Sequence, residues 1–364
     1  MYFDDCAVEA RQRPWYDLPK APRTTADTKT VTTTTSAPIA KALMTSPPLP
    51  NGSEISSATV TDAPAGNWVD AYAPTRTRPY LRLARADRPI GTWLLVFPCL
   101  WSMTMAQLYS GQTTFNLWFA VLFVVGAFVM RGAGCAYNDY VDRDYDAQVT
   151  RTKSRPIPSG QVQPWQALAL VAALGGVGLA VLLQFNTFTI ILGISSLALV
   201  LVYPFMKRMT YWPQLILGLT FNWGALVGWS AITGEINMPA LLLYIGAVSW
   251  TVGYDTIYAH QDKEDDLMLG LKSTAIKFAD HTKTAVALLY GLTAICWAAA
   301  IFSIVGMSVS AIAMIAIAAH FAWQVATLDI NDAQNCLTRF KSNREIGAIL
   351  FAGLFIDLIW STTL

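Results

Sequence analysis

The chain has 364 residues, 54% of them hydrophobic and only 13% charged, with a formal net charge of +1. Soluble domains carry about 25% charged residues, so a soluble globular protein is excluded; no nucleic-acid partner is expected, and bulk charge singles out no other. The five cysteines (Cys6, Cys99, Cys135, Cys296, Cys336) show no CxxC spacing and read as reduced packing residues, and the three histidines are too scattered for a histidine zinc site.

Residues 1–65 are rich in Thr, Ser, Pro and Ala, with a low-complexity tract at Thr32–Ser36. They show no apolar period and read as a disordered extension to one membrane domain over 66–364. No apolar core of a secretory signal is present, and Asp4, Asp5, Glu9 and Asp17 fit a mitochondrial transit peptide poorly. Translation from Met44 is the alternative, which an intact Met1 terminus in the native protein would rule out. Residues 67–88 are amphipathic and basic and predict a helix lying at the membrane interface.

Nine apolar runs follow, at approximately 90–109, 116–137, 165–184, 188–205, 211–232, 239–258, 284–302, 307–328 and 345–363. Each is near the length, about 20 residues, that spans a bilayer core as a helix. The fold class is therefore all-α and polytopic. Every Lys and Arg from Arg76 to Arg344 falls before the first run or near the connections after the second, fourth, sixth and eighth; the other connections hold only Glu235. By the positive-inside rule the basic side is cytoplasmic or its equivalent, with the N-terminus inside. Gly175-Gly176-Val177-Gly178, within a run, reads as close helix packing.

Two acidic clusters fall on the basic side. The first is Asn138-Asp139-Tyr140-Val141-Asp142-Arg143-Asp144-Tyr145-Asp146, directly after the second run. Asn138, Asp142 and Asp146 are spaced i, i+4, i+8 and share one helix face, with a drift of roughly 80°. The second holds Asp255 and then Gln261-Asp262-Lys263-Glu264-Asp265-Asp266, in which Asp262 and Asp266 are again i, i+4. Oxygen donors on a stripe suit a hard divalent cation. Charges at mid-bilayer cost about 2.5–3.5 kcal/mol each on insertion scales, so these acids line a hydrated mouth and need counter-charge. Arg151, Lys153, Arg155, Lys207, Arg208 and Lys272 crowd the same loops. Acids interleaved with bases point to a Mg²⁺-bridged polyanion, and a membrane pocket beside it to an apolar tail; together they indicate a lipid diphosphate. Magnesium would neutralise the charge building on a departing diphosphate, leaving an allylic cation that must be shielded from water on its way to an electron-rich ring.

At these residues the sequence resembles the UbiA superfamily of intramembrane aromatic prenyltransferases. Asn138 to Asp146 fits its NDxxDxxxD motif and Asp262 to Asp266 its DxxxD motif. Arg88-Pro89-Ile90-Gly91, Arg151-Thr152 with Arg155-Pro156, Tyr203-Pro204-Phe205-Met206-Lys207-Arg208 and Gly270-Leu271-Lys272-Ser273 extend the match over essentially 67–364. The flanking motifs look like the 4-hydroxybenzoate polyprenyltransferase branch of ubiquinone synthesis, in its bacterial form close to the mitochondrial one. The resemblance implies a helical bundle around a central cavity open to the cytoplasmic side. It implies one Mg²⁺ on Asn138, Asp142 and Asp146 and another on Asp262 and Asp266. Lys153, Arg155, Lys207 and Arg208 would hold the diphosphate, Arg88 either the benzoate carboxylate or the diphosphate. Asp255, Tyr203 and Tyr258 would line the pocket, with Asp255 a partner for the phenol. Asp142, Asp146, Asp262, Asp266, Asp255 and Arg208 form the expected catalytic set; polyprenyl diphosphate, 4-hydroxybenzoate and the lipid bilayer are the expected partners. A bacterial inner membrane is the first expectation for location and the mitochondrial inner membrane the alternative.

Two other functions compete. One is the same chemistry on another aromatic acceptor. The other is a divalent-cation transporter, disfavoured because transporters tend to carry their ionisable groups near the bilayer midplane, whereas these acids stand at span ends beside bases. Prenyl chain length and oligomeric state are not legible in the sequence.

Overall fold

The computed structural model describes Ala63 and residues 66–360. Apart from Ala63, the extension expected over 1–65 lies outside the described residues, as does Cys6; so does the end of the last apolar run.

Among the described residues every regular element is helical. Two short helices, α1 (Trp68–Tyr72) and α2 (Arg78–Leu83), replace the single interfacial helix expected over 67–88. Pro74 and Pro79 explain the break, since proline cannot continue an upstream helix but is accepted at the start of a new one. Asn67 caps α1 by accepting from the Asp70 amide at 3.1 Å. α2 ends in a Schellman turn: the Arg85 amide donates to the Arg82 carbonyl at 3.0 Å and the Ala86 amide to the Leu81 carbonyl at 2.9 Å. Such a turn places one residue in the left-handed region, normally glycine. Here it is Arg85, with φ of 57°, at a cost of roughly 1–2 kcal/mol.

The remaining helices are α3 (Ile90–Tyr109), α4 (Leu117–Asp146), α5 (Pro164–Leu182), α6 (Thr187–Ser195), α7 (Leu197–Val202), α8 (Met206–Met209), α9 (Pro213–Phe221), α10 (Trp223–Thr233), α11 (Met238–Ala259), α12 (Lys263–Met268), α13 (Thr274–Phe278), α14 (Thr282–Val305), α15 (Val309–Thr327) and α16 (Ala333–Trp360). Seven segments among the described residues are long and apolar enough to cross a membrane: 117–146, 164–182, 187–209, 213–233, 238–268, 274–305 and 309–327. The runs expected at 90–109 and 345–363 fall on α3 and α16, which are not among those seven.

Two expected spans are broken. Over 187–209, the Ser195 and Ser196 hydroxyls bond back to the Leu192 and Gly193 carbonyls at 2.7 Å each, a competition that bends helices, and Pro204 introduces a 3₁₀ turn at Tyr203–Phe205. Over 213–233 the break is at Asn222, whose side chain donates to the Gly218 carbonyl at 2.8 Å and to Thr251 Oγ1 on α11 at 2.7 Å. Short connections, capped by Asn116, Asn186 and Ser308 side chains, make consecutive segments antiparallel. Hence the ends of α4, α8 and α11 and the start of α5 meet at one end of the bundle.

The described residues form one compact unit. α11 packs along α14, α10 along α3 and α4 along α5, while α16 contacts α15, α3 and α11. The core is built on three fully buried indoles, Trp101, Trp250 and Trp297, one each from α3, α11 and α14. Their ring centroids are 4.9–5.6 Å apart. Each indole N–H is satisfied: Trp101 by the Gly347 carbonyl at 2.9 Å, Trp250 by Asn343 Oδ1 at 2.7 Å, Trp297 by the Leu243 carbonyl at 3.2 Å. Lipid tails are as apolar as the helices, so packing and such interhelical hydrogen bonds, rather than escape from water, drive association. Asp357 on α16 adds another, accepting from the Val309 and Ser310 amides at 2.8 and 3.0 Å and from Ser310 Oγ at 2.5 Å, which caps α15 from a neighbouring helix.

The glycine run on α5 packs less than expected. A methyl on Gly178 would strike Met130 of α4, but Gly175 and Gly176 face open space, because α5 meets α4 along one side and is otherwise largely exposed. A shallow apolar groove of about 430 Å³ lies between α14 and α15, lined by Ala294, Phe302 and Met314 among others; it contains none of the clustered acids.

Candidate active site

α4 runs unbroken to Asp146, so Asn138, Asp142 and Asp146 descend one helix face as the spacing predicts. Asp142 is fully buried and Asp146 nearly so. A buried carboxylate is costly unless it is paired and hydrogen-bonded, and each of these is paired. Asp142 accepts from Lys207 Nζ at 2.6 Å, Arg208 Nη2 at 2.9 Å and Asn138 Nδ2 at 3.2 Å. The Arg208 guanidinium also lies over the Tyr145 ring, 4.6 Å from its centroid. Both bases come from the short α8 helix, carried to α4 by the bend at Pro204. Asp146 accepts from Arg155 Nη1 at 2.9 Å, and the Asp146 carbonyl accepts from Thr152 Oγ1 at 2.9 Å, folding the loop 147–163 back on the helix end.

The second motif follows α11. A 3₁₀ turn at His260–Asp262 leads into α12, which carries Asp266. Arg151 donates to Asp262 Oδ2 at 2.6 Å, joining the loop behind the first motif to the second. The other oxygen, Asp262 Oδ1, is buried without a hydrogen-bond partner. Asp266 is within electrostatic reach of Lys207 and Arg151, and Tyr203 within reach of Asp255, Asp142 and Tyr258. The structure therefore gathers Asn138, Asp142, Asp146, Asp262, Asp266, Asp255, Tyr203, Tyr258, Arg155, Lys207 and Arg208 at one end of the bundle.

Three expected bases sit differently. Lys153 is exposed; its amide donates to the Val149 carbonyl at 2.9 Å, but its ammonium makes no hydrogen bond or ion pair among the described residues. Lys272 clips loops together: its amide donates to the Lys207 carbonyl at 2.8 Å and its Nζ to the Met209 carbonyl at 3.2 Å. Arg88 binds Asp87 through Nε at 3.2 Å and Nη2 at 3.0 Å, beside Arg85 and Arg131. Arg131 lies two helical turns deeper than Asn138 on the same face of α4. It donates to the Arg85 carbonyl at 2.9 Å, and its guanidinium lies so close to Gly91 that a side chain there would displace it.

Residues outside the expected set complete the network. Asp139, nearly fully buried, accepts on Oδ1 from Arg85 Nη2 at 2.7 Å and from Arg155 Nη1 at 3.2 Å. Arg82, in the basic segment expected at the membrane interface, is buried against Asp70 at 2.7 Å and reaches Gln161 of the 147–163 loop at 3.4 Å. Burial alone would raise the Asp70 carboxyl, but the Arg82 hydrogen bonds, helped by Asn67, hold it below the usual carboxylate range.

The donor set is all oxygen, which fits Mg²⁺ in kind, and the unpartnered buried Asp262 oxygen is the type of atom an ion would satisfy. Among the described residues no three His, Cys, Asp or Glu side chains stand close enough together to hold an ion; bases occupy the space between the carboxylates.

Residues 95–352 match the UbiA prenyltransferase family. The chain belongs to that family. Among UbiA relatives, it is 47% identical over 293 residues to a Caenorhabditis elegans protein (80% of this chain, 82% of that one) and 46% identical over 300 residues to a human protein (79% and 77%). An Aedes aegypti relative is 47% identical over 294 residues, covering 78% of this chain but 64% of that protein, so the chain spans a little under two thirds of its length. All three are named 4-hydroxybenzoate polyprenyltransferase, mitochondrial. The bacterial inner membrane expected first finds no support in these names, which match the mitochondrial alternative. Among UbiA structures, the apo homologue from Aeropyrum pernix superposes with a TM-score of 0.62 at 25% identity, over 72% of this chain and 98% of that one. A homologue from Archaeoglobus fulgidus, bound to GPP and Mg²⁺, superposes with a TM-score of 0.58 at 19% identity, over 78% and 99%, a likeness of fold.

Proposed function

We propose that this UbiA protein transfers a polyprenyl group from polyprenyl diphosphate to the ring carbon ortho to the hydroxyl of 4-hydroxybenzoate, a step of ubiquinone biosynthesis. The observation that carries the reading is the pairing of both acidic motifs with bases at one end of the bundle, bridged by Arg151 and Asp262 at 2.6 Å. The names of relatives at 46–47% identity support the acceptor. The Archaeoglobus homologue bound to GPP and Mg²⁺ supports the donor class and the metal.

Asn138, Asp142 and Asp146 would hold one Mg²⁺, and Asp262 and Asp266 the other. Bound there, the metal neutralises charge on the leaving diphosphate. Lys207, Arg208, Arg151 and Arg155 turn from the carboxylates towards phosphate oxygens. Arg131, deeper on α4 and packed against Gly91, lies near Arg88, and the two suit the benzoate carboxylate. Asp255 accepts the phenol proton, which raises electron density at the ortho carbon; that carbon attacks the prenyl cation, its proton passes to the departed diphosphate, and Asp255 returns the phenol proton. Tyr203, Tyr258 and the apolar helix faces keep water away. We place the protein in the mitochondrial inner membrane as nine spans, α3 and α16 included, around a cavity opening on the basic side.

The test uses membranes carrying the protein with 4-hydroxybenzoate, geranyl diphosphate and Mg²⁺, with chelator as the blank. Metal-dependent 3-geranyl-4-hydroxybenzoate is expected. Product with another phenolic acid but none with 4-hydroxybenzoate would overturn the acceptor. Mn²⁺ uptake by proteoliposomes without any prenylation would overturn the enzyme.

A further inference from the structure

We infer that Arg85, which precedes the first long helix, is a positioning residue for the diphosphate grip, acting through Asp139 on Arg155. The inference rests on the reading of Arg155 as a diphosphate-holding base. Three contacts carry it in series. Arg85 Nη2 meets Asp139 Oδ1 at 2.7 Å, the same oxygen meets Arg155 Nη1 at 3.2 Å, and that nitrogen meets Asp146 Oδ2 at 2.9 Å. Side-chain exposures are 9% for Arg85, 1% for Asp139 and 12% for Arg155, so water screens the series poorly.

Two features separate this from an ordinary structural ion pair. The first is Asp139 Oδ2, buried and without a hydrogen-bond partner. The Asp139 carboxylate thus directs its hydrogen bonding to one oxygen, shared by two guanidiniums. Sharing fixes where Arg155 sits and weakens the hold on it. Without Arg85, the carboxylate loses its orientation and its whole charge falls on Arg155. Both effects draw Arg155 away from a phosphate, so they act in one direction. The second feature is the backbone. Arg85 stands at the left-handed position of a Schellman turn, where glycine would be relaxed. A strained side chain persists where its contacts over-determine it, and such strain clusters at functional sites. The turn is held further by Arg131, which donates to the Arg85 carbonyl. The interfacial segment is thereby tied to Arg155 through side chains alone.

Glycine at this position provides the test, because Arg85→Gly removes the guanidinium while relaxing the turn. In purified full-length protein, Arg85→Gly should raise the KM for geranyl diphosphate about tenfold, the scale of one lost charge-assisted bond. The KM for 4-hydroxybenzoate should change by less than about threefold, since glycine keeps the carbonyl that holds Arg131. Asp139→Asn, which removes the charge that would draw Arg155 from the phosphate, should raise the donor KM by less than Arg85→Gly does, and Arg85→Lys should recover part of the loss. In an Arg155→Ala background, Arg85→Gly should add nothing to the donor KM. An Arg85→Gly protein with lower kcat, lower thermal stability and unchanged donor KM would overturn the inference and leave only a structural latch. So would effects of Arg85→Gly and Arg155→Ala that multiply. If Arg155→Ala itself leaves the donor KM unchanged, it is the assignment of Arg155 as a diphosphate base that fails.

Discussion

Asp142→Asn is the substitution that most directly probes the site. The carboxylate accepts Arg208 on Oδ1 and Lys207 and Asn138 on Oδ2. Asparagine keeps the shape but turns one oxygen into a donor, which then faces Arg208 or Lys207, donor against donor. At least one charge-assisted bond is lost, about 1.5–3 kcal/mol each. Lys207 and Arg208 keep 29% and 28% exposure, against 1% for Asp142, so either base can swing to water. That discounts the stability loss to about 2 kcal/mol. Catalysis should fall further, because the change removes the central ligand of the stripe: a loss of about 10²–10³-fold in kcat, as for a deleted transition-state charge stabiliser. Product formation from geranyl diphosphate and 4-hydroxybenzoate, followed across a Mg²⁺ titration beside thermal unfolding in detergent, separates the two effects. Activity within threefold of wild type with an unshifted Mg²⁺ midpoint would refute the assignment of the α4 stripe as a metal site.

Other outcomes follow from the same geometry. Asp357→Ala removes three bonds that cap α15 far along the chain from the acids, and should lower stability by about 2–3 kcal/mol; thermal unfolding reads this, and an unchanged midpoint would contradict the cap. Lys207→Ala should raise the donor KM about tenfold, whereas Lys153→Ala, at an exposed side chain, should shift it by no more than about threefold; equal effects would argue against the pairing seen here. Against burial, the Arg82 hydrogen bonds hold the Asp70 carboxyl below its ordinary value of 3.8, so its contribution is full above that value and is lost as pH falls through the lowered folded value. The stability gap between wild type and Asp70→Asn should therefore be constant near neutrality and close on acidification below about pH 4; a gap that persists at lower pH would show that the Arg82 contact does not depend on charge.

Much of this was legible in the sequence because helical period and charge act locally. The i, i+4 spacing placed Asn138, Asp142 and Asp146 on one face, and the alternation of basic and neutral connections brought both motifs to one end. The breaks at Ser196 and Asn222 were not legible. They arise from side chains bonding to their own backbone or to a neighbouring helix, and an apolar run hides them. The partners of the bases were also hidden. Lys153, Lys272 and Arg155 look alike as residues in acidic loops, yet one faces out, one clips a loop and one bridges two acids. Arg85 and Arg82 read as membrane-surface charges because nothing in sequence spacing reveals a contact over 54 or 79 residues.

The indole triad has an optical consequence. Trp101, Trp250 and Trp297 are close enough for their excited states to mix, and their planes cross at 51°, 64° and 65°, neither parallel nor perpendicular. Such an arrangement of coupled transition dipoles is chiral and rotates polarised light as a unit. Each ring belongs to a different helix, so the full signal exists only while α3, α11 and α14 are joined. Circular dichroism in the indole bands thus provides a label-free reading of bundle assembly in the native chain, and replacing any one of the three tryptophans by phenylalanine should reduce it to the couplet of the remaining pair while leaving the helical signal in place.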